Sequence, residues 1–502
     1  VSSAALQGIE AYVVEVEVDI GSGLPAYVVV GLPDPSVRES KERVKAALKN
    51  NGYDFPPRRV TVNLAPADRR KEGPAFDLAI ALAHLAYLEA VDPERFPGRL
   101  FMGELALDGR LKPVKGVLSA AILARSRGYG SIIVPRGNAR EAGLVEGLDV
   151  YGLDALDQVV RLLAGDASIT PCAFDGRAWL DPPRPDVDFG DVKGQAHIKR
   201  ALEVAAAGGP NVLMIGPPGS GKTMLARRLP SILPAMTYAE IIETTRIYSA
   251  AGLLGDAGPV VRRPLRSPHH TISDAGLIGG GMMPRPGEVS LAHNGVLFMD
   301  ELPEFERESL EALRQPLEDG QVTVARVAMT AVFPSSFMMV AAMNPCLDVL
   351  RGPDGGAGDC TERQRSRYYA KISGPLLDRI DIQVEVPAVS FREIIAKGAA
   401  EGSQAIRSRV EAARRRQLDR FAGLGIYANA RMGTREVRAF CPIGPGEEAL
   451  LEAAVNALGF SARAYDRSLK VARTIADLAG EERSTAAHLS EAIQYRAMDR
   501  YY

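Results

Sequence analysis

The sequence predicts an α/β protein: two mixed α/β units in succession, then a helical segment. Three observations carry that expectation. Residues 11–134 alternate short β-branched runs with stretches of helical spacing. Residues 212–342 hold three short apolar runs (212–215, 296–299 and 338–342), each ending in a loop, as strands of a buried parallel sheet do. From residue 391 onward the spacing is helical almost throughout.

The totals narrow the possibilities. At 502 residues, about two to four domains are expected. The composition is globular, 46% hydrophobic and 24% charged, and a net charge of −2 excludes a globally basic coat for nucleic acid. Any such surface must be local. The four cysteines, Cys172, Cys346, Cys360 and Cys441, are too scattered for a disulfide framework and suggest a reducing compartment. No apolar run approaches a membrane span and no signal-peptide pattern is read, so a cytoplasmic protein is expected.

In chain order, residues 11–18 alternate and residues 25–30 are apolar and β-branched; both read as strands. Residues 37–50 read as a helix stopped by Asn51-Gly52. Residues 59–64 are a strand, 77–88 and 116–127 helices, and 131–134 a strand ending at Pro135. The first unit is placed at 1–165. Residues 166–190 form a linker, stiffened around Asp181-Pro-Pro-Arg-Pro. Residues 191–195 then lead into a helix at 196–207, and the second unit is placed at 191–390. In the last segment, 391–502, helices are expected at 391–397, 403–421, 434–440, 446–456, 462–478 and 485–495. Arginines at 407, 409 and 414–416 crowd one of them, as a nucleic-acid face or as a solvated helix with acidic partners.

The chemistry concentrates at residues 211–223, NVLMIGPPGSGKT. The strand ends at Gly216, and Gly216, Pro217, Pro218, Gly219, Ser220, Gly221, Lys222 and Thr223 match G-x-x-x-x-G-K-T. The glycines let the backbone curl around the phosphates of ATP, and a helix opens at 224–229. Lys222 is expected to reach the terminal phosphates and Thr223 to ligate Mg²⁺. A second apolar strand, 295–299, ends in Asp300-Glu301. Asp300 would hold Mg²⁺ through water, and Glu301 would orient the attacking water. The third strand is followed by Asn344-Pro345, whose amide can both donate to a phosphate and accept from water.

Several stretches carry a family resemblance. GLPDPSVRESKERVKAALKNNGYDFPPRRVTVNLAPAD, KEGPAFDLAIAL and GELALDGRLKPVKGVL in the first unit resemble the N-terminal domain of ComM/YifB proteins, which are magnesium-chelatase-like AAA+ ATPases. So does RRPLRSPHHTISDAGLIGGG at 262–281. The resemblance implies an AAA+ P-loop core with a helical lid, preceded by a Lon-protease-like (ribosomal S5-like) α/β domain. A Lon-type Ser–Lys dyad is expected to be absent. Ala75 stands at the serine position, Leu118 near the lysine position, and Lys115 is out of register, so no peptidase activity is expected.

The same resemblance gives Asn344 the role of sensor 1. It makes Arg379, in SGPLLDRIDIQVEVP, a finger reaching the neighbouring subunit's ATP, and Arg463 sensor 2, with Arg467 as the fallback. It implies a homo-oligomeric ring with six subunits. Residues 320–337 resemble a pore-lining hairpin with Arg326 near its tip, a candidate contact to DNA backbone. His269-His270 make a weak metal set and read as structural or ring-contact residues. The family's cysteine cluster is reduced here to Cys346 and Cys360, too few to close a zinc site. The implied function is DNA helicase or branch-migration activity in recombination, as in natural transformation. The alternatives are a magnesium-chelatase motor subunit and a nucleotide-gated scaffold.

Overall fold

The computed structural model describes residues 1–174, 187–255, 258–326, 329–346, 361–388, 401–458 and 460–496. The first unit holds a four-stranded sheet of β1 (Ser2–Gln7), β2 (Glu10–Gly21), β3 (Ala26–Val30) and β4 (Arg59–Ala65), in the order β1-β2-β4-β3. Alternation decides which face is buried: in β4, Val60, Val62 and Leu64 point into the core. Helices α1 (Ser40–Asn50), α2 (Asp77–Tyr87) and α3 (Val117–Ser126) accompany it. A second, parallel sheet of β5 (Arg99–Phe101), β6 (Ser131–Pro135) and β7 (Asp149–Leu153) completes the unit. Residues 2–7 carry no strand signal of their own, since their Ser-Ser-Ala-Ala start has little β preference. Pairing with β2 from Ser2↔Glu15 to Gln7↔Glu10 makes them a strand.

The second unit opens with α4 (Ala196–Gly208), β8 (Val212–Ile215), α5 (Lys222–Arg228) and α6 (Tyr238–Ala251). It continues through β9 (Leu265–Arg266), β10 (Val296–Met299), α7 (Arg314–Asp319), the hairpin β11 (Gln321–Ala325) and β12 (Thr330–Pro334), β13 (Met338–Met343) and β14 (Ile382–Glu385). Its sheet runs β9-β10-β13-β8-β14, with every pairing parallel. β8, β10 and β13 are buried along their whole length, which is why they read as unbroken apolar runs. Asn211 pins the N-terminal edge: its backbone N–H donates to Asp381 Oδ2 (2.7 Å), its Nδ2 to the Arg379 carbonyl (2.8 Å), and its Oδ1 accepts from Met339 N–H (2.9 Å). One residue thus ties together the starts of three strands.

Five helices follow: α8 (Ser403–Arg420), α9 (Thr434–Phe440), α10 (Pro445–Leu458), α11 (Ala462–Ala479) and α12 (Ala486–Gln494). The helix expected at 391–397 and most of the proline-rich linker lie outside the described residues. Ile406, Val410, Ala413, Leu469, Ala472 and Ile475 share one hydrophobic core with α4, β8 and β14. The crowded arginines of α8 are largely occupied by this packing. Arg409 pairs with Glu203 and Glu401, both at 2.5 Å, and Arg416 donates to the Asp477 carbonyl at 2.8 Å.

Helix α6 joins the two α/β units. It starts in a Thr237–Glu240 capping box and ends at Gly252 in the left-handed region. Arg246 pairs with Glu10 (2.7 Å), and the Gly116 N–H donates to the Ser249 carbonyl (3.2 Å). Leu118 and Leu144 of the first unit pack with Met236 and Ile241 of the second. The buried Glu141 completes the joint, accepting from Ser249 Oγ (2.5 Å), Asn138 Nδ2 (2.7 Å) and Leu118 N–H (3.2 Å). Burial pushes its carboxyl above the usual range, and these three donors pull it back. Glu141→Ala strands all three donors and should destabilise the protein by about 1–3 kcal/mol. That is measured as a lower midpoint of chemical denaturation; an unchanged midpoint would refute the assignment.

Candidate active site

The site is built at the C-terminal end of β8. A Cβ on Gly216 would lie 2.1 Å from the Val386 carbonyl oxygen, so the chain can leave the sheet there only as glycine. Gly219 (φ +77°) and Gly221 (φ +92°) take left-handed conformations, and α5 starts at the next residue, Lys222. Lys222 is buried at 8% exposure. Its Nζ donates to the Gly216 carbonyl (2.6 Å), the Pro217 carbonyl (2.9 Å) and Asn344 Oδ1 (3.0 Å). Asn344 follows β13, the strand next to β8, and the parallel register puts the two tips side by side. The Asn344 carbonyl accepts from the Tyr368 hydroxyl at 2.9 Å. Burial raises the Tyr368 phenol, which stays a donor.

Thr223 Oγ1 donates to Asp300 Oδ2 at 2.7 Å. A hydroxyl and a carboxylate oxygen in contact are the hard donors that Mg²⁺ prefers, so this pair fits that ion. Around the loop, Ser220 Oγ is buried without a hydrogen-bond partner. A glycine-walled turn with an orphaned hydroxyl also fits a phosphate chain. Gln195 was not singled out in the sequence. It sits at φ +55°, and its Nε2 bridges the Ser220 (2.8 Å) and Pro387 (3.2 Å) carbonyls. The segment 191–195 therefore lies against the loop.

Glu301 adopts φ +53°, a strained choice for a residue with a Cβ that costs about 1–3 kcal/mol. Its Oε2 lies 3.5 Å from His270 Nδ1. His270 packs against His269 with the rings tilted by 33° and their centroids 4.1 Å apart, and meets the Phe305 ring edge-on at 6.4 Å. The histidine pair is thus a neighbour of Glu301; no spacing rule in the sequence joins His270 to a residue 31 positions on. Among the described residues no group of three or more His, Cys, Asp or Glu side chains could hold a metal ion, and Cys360 lies outside them.

The structure does not bring Arg379 or Arg463 to this loop. Arg379 is 4% exposed, donates to the Pro375 carbonyl at 2.7 Å, and forms a close ion pair with Glu318. Arg463 approaches the same carboxylate at 3.5 Å. The Arg379 guanidinium holds the Glu318 carboxyl below its usual range. Arg467 pairs with Asp381 at 3.1 Å. Because Asn211 binds the Arg379 carbonyl, the Arg379 backbone is anchored at the N-terminal edge of the sheet, about 16 Å along β8 from Gly216. Arg326 is exposed at the hairpin turn, where it and Met329 exchange backbone hydrogen bonds of 2.9 and 3.2 Å. In the first unit, Ala75 is half-buried, Leu118 is buried under α6, and Lys115 is exposed.

Comparison with known proteins accords with this architecture. Residues 16–138 match the family described as subunit ChlI of Mg-chelatase. Residues 188–394 match magnesium chelatase, subunit ChlI, and residues 400–496 its C-terminal part. The chain is 43% identical to competence protein ComM of Haemophilus influenzae, over 100% of this chain and 97% of that protein. It is 42% identical to the uncharacterized protein YifB of Salmonella typhimurium, with the same coverage of 100% and 97%. A shorter likeness, 34% over 149 residues, links 27% of the chain to 26% of Lon protease 2 of Bacillus subtilis. With a P-loop at the edge of a parallel sheet and full-length relatives of these two names, the chain belongs to the ComM/YifB family of magnesium-chelatase-like, AAA+-like proteins.

Proposed function

We propose that this chain is a Mg²⁺-dependent ATPase that acts as a homo-oligomeric ring, hexameric in arrangement, and translocates on or remodels DNA in the cytoplasm. The observation that carries the ATPase reading is the meeting of Lys222, Thr223, Asp300 and Asn344 at one end of the sheet, with Glu301 next to Asp300. ATP would lie in the loop from Gly216 to Thr223, and Mg²⁺ would be held by Thr223 and Asp300. The bound ion would supply positive charge to the phosphates. Lys222 exchanges its loop carbonyls for phosphate oxygens. Glu301 orients the water, with His270 limiting where its carboxylate can go, and Asn344 fixes the reacting end.

The ring reading rests on the arginines. Arg379 and Arg463 stand too far along the strand to serve the loop of their own chain, so they suit the ATP of a neighbour. The DNA reading rests on the full-length likeness to a protein named for competence and on the exposed Arg326. A magnesium-chelatase motor is the second reading, favoured by the three family descriptions. A nucleotide-gated scaffold has less support, because the hydrolytic residues are all present.

Strand displacement on forked and Holliday-junction DNA tests the proposal, with the Glu301→Gln chain as the inactive control. Arg326→Ala should reduce DNA stimulation of the ATPase several-fold while ATP binding is kept; undiminished stimulation argues against the contact. Mixing Lys222→Ala and Arg379→Ala chains, each inactive alone, should restore part of the ATPase activity, since some interfaces regain both groups. No recovery would exclude a shared site. His270→Ala should lower kcat about tenfold with the KM for ATP unchanged. A rise in KM alone would instead place His270 in nucleotide binding.

A further inference from the structure

At the junction of lid and core, a cavity of about 80 Å³ opens between α8, the segment 427–431 and the starts of β10 and β13. Three arginines line it: Arg263 from the core, Arg414 and Arg431 from the lid. Its one carboxylate is Glu240. That carboxylate is already engaged, receiving Arg263 Nη1 at 2.8 Å and Nη2 at 3.0 Å. Arg414 and Arg431 form no ion pair among the described residues. They rest on backbone carbonyls: Arg414 on Tyr427 (2.9 Å) and Ala206 (3.2 Å), Arg431 on Phe337 (2.8 Å). Arg414 Nε is buried with no acceptor.

Carbonyl dipoles satisfy donors but do not cancel net charge. Two guanidinium groups therefore face one small cavity beside a third, with Glu240 the one carboxylate in its wall and Asp381 the nearest acid to Arg431 behind it, and each pays a desolvation penalty. Burial first, and then the neighbouring Arg263, push the Arg414 guanidinium down to about 9. An anion in the cavity would relieve both effects. Guanidinium forks match the oxygens of a tetrahedral oxyanion in charge and shape. The volume suits an ion of a few heavy atoms and is far below the ~300–1,000 Å³ of a pocket for a larger ligand.

We propose that this cavity binds one phosphate-type oxyanion, held by Arg414 and Arg431 of the lid and Arg263 of the core. The ion ties the lid to the core at the edge of the sheet opposite the P-loop. The site stands independently of the ATPase reading.

The test uses the Lys222→Ala protein, which weakens anion binding in the P-loop. Inorganic phosphate is titrated against chloride at matched ionic strength, followed by calorimetry and thermal unfolding. Phosphate should give saturable heat and raise Tm by a few degrees, and chloride should give neither. If phosphate behaves as chloride does, the proposal fails without any further variant having to fold. Adding Arg414→Gln and Arg431→Gln should weaken phosphate binding at least tenfold, while Arg415→Gln, on the exposed side of α8, should leave it unchanged. Equal affinity in the double variant overturns the assignment. A single-stranded oligonucleotide then separates the sources. Displacement of phosphate supports a backbone phosphate as the occupant, and persistence of the phosphate heat supports the free ion.

Discussion

All strands of the core sheet run parallel, and β8 lies inside it with neighbours on both sides. A parallel sheet has two unlike edges. The C-terminal edge carries Gly216, Asp300 and Asn344 because each follows a strand in the chain. The N-terminal edge carries Asn211 and Arg379 because each precedes one. The separation of phosphate-binding loop from arginine cluster is thus fixed by strand direction. In the ring proposed above, a second subunit would bridge that separation.

Within the C-terminal edge, strain and hydrogen bonding share the work. Glu301 is held in a left-handed conformation, which redirects the chain immediately after Asp300. Such strain persists where surrounding contacts over-determine it. Asp300 Oδ1 accepts from the Glu301 N–H at 3.1 Å, and His270 stands at the other end of the side chain. The histidine pair, unexplained as a metal set, has a simpler account as the wall beside this carboxylate.

The lid is bound to the core both by apolar packing and by charge. Its helices share side-chain contacts with α4 and the sheet, while Asp477 is buried among Arg420, Arg473 and Asn429. Buried charges need partners, and where they lack them the energy of the fold depends on what else can bind. The joint between the first unit and α6 follows the same logic through Glu141. In both places a buried ionisable group sits where two parts of the molecule meet.

The sequence by itself determined the elements whose signals are local. Apolar runs named β8, β10 and β13 because strands buried on both faces need no alternation, and G-x-x-x-x-G-K-T named the loop because glycine alone tolerates its backbone. Helical spacing located most of the lid. At the strand tips Lys222 meets Asn344 and Thr223 meets Asp300. Only the tertiary structure decided the remainder. β1 is a strand through its pairing, since its Ser-Ser-Ala-Ala start carries little β preference. Gln195 and His270 join the site through contacts across 25 and 31 positions, for which no sequence period exists. Arg379 and Arg463 are singled out by family resemblance alone, and their convergence on Glu318 is set by the packing of lid against core. Distance in a folded chain is set by packing, and packing is not written in the spacing of residues.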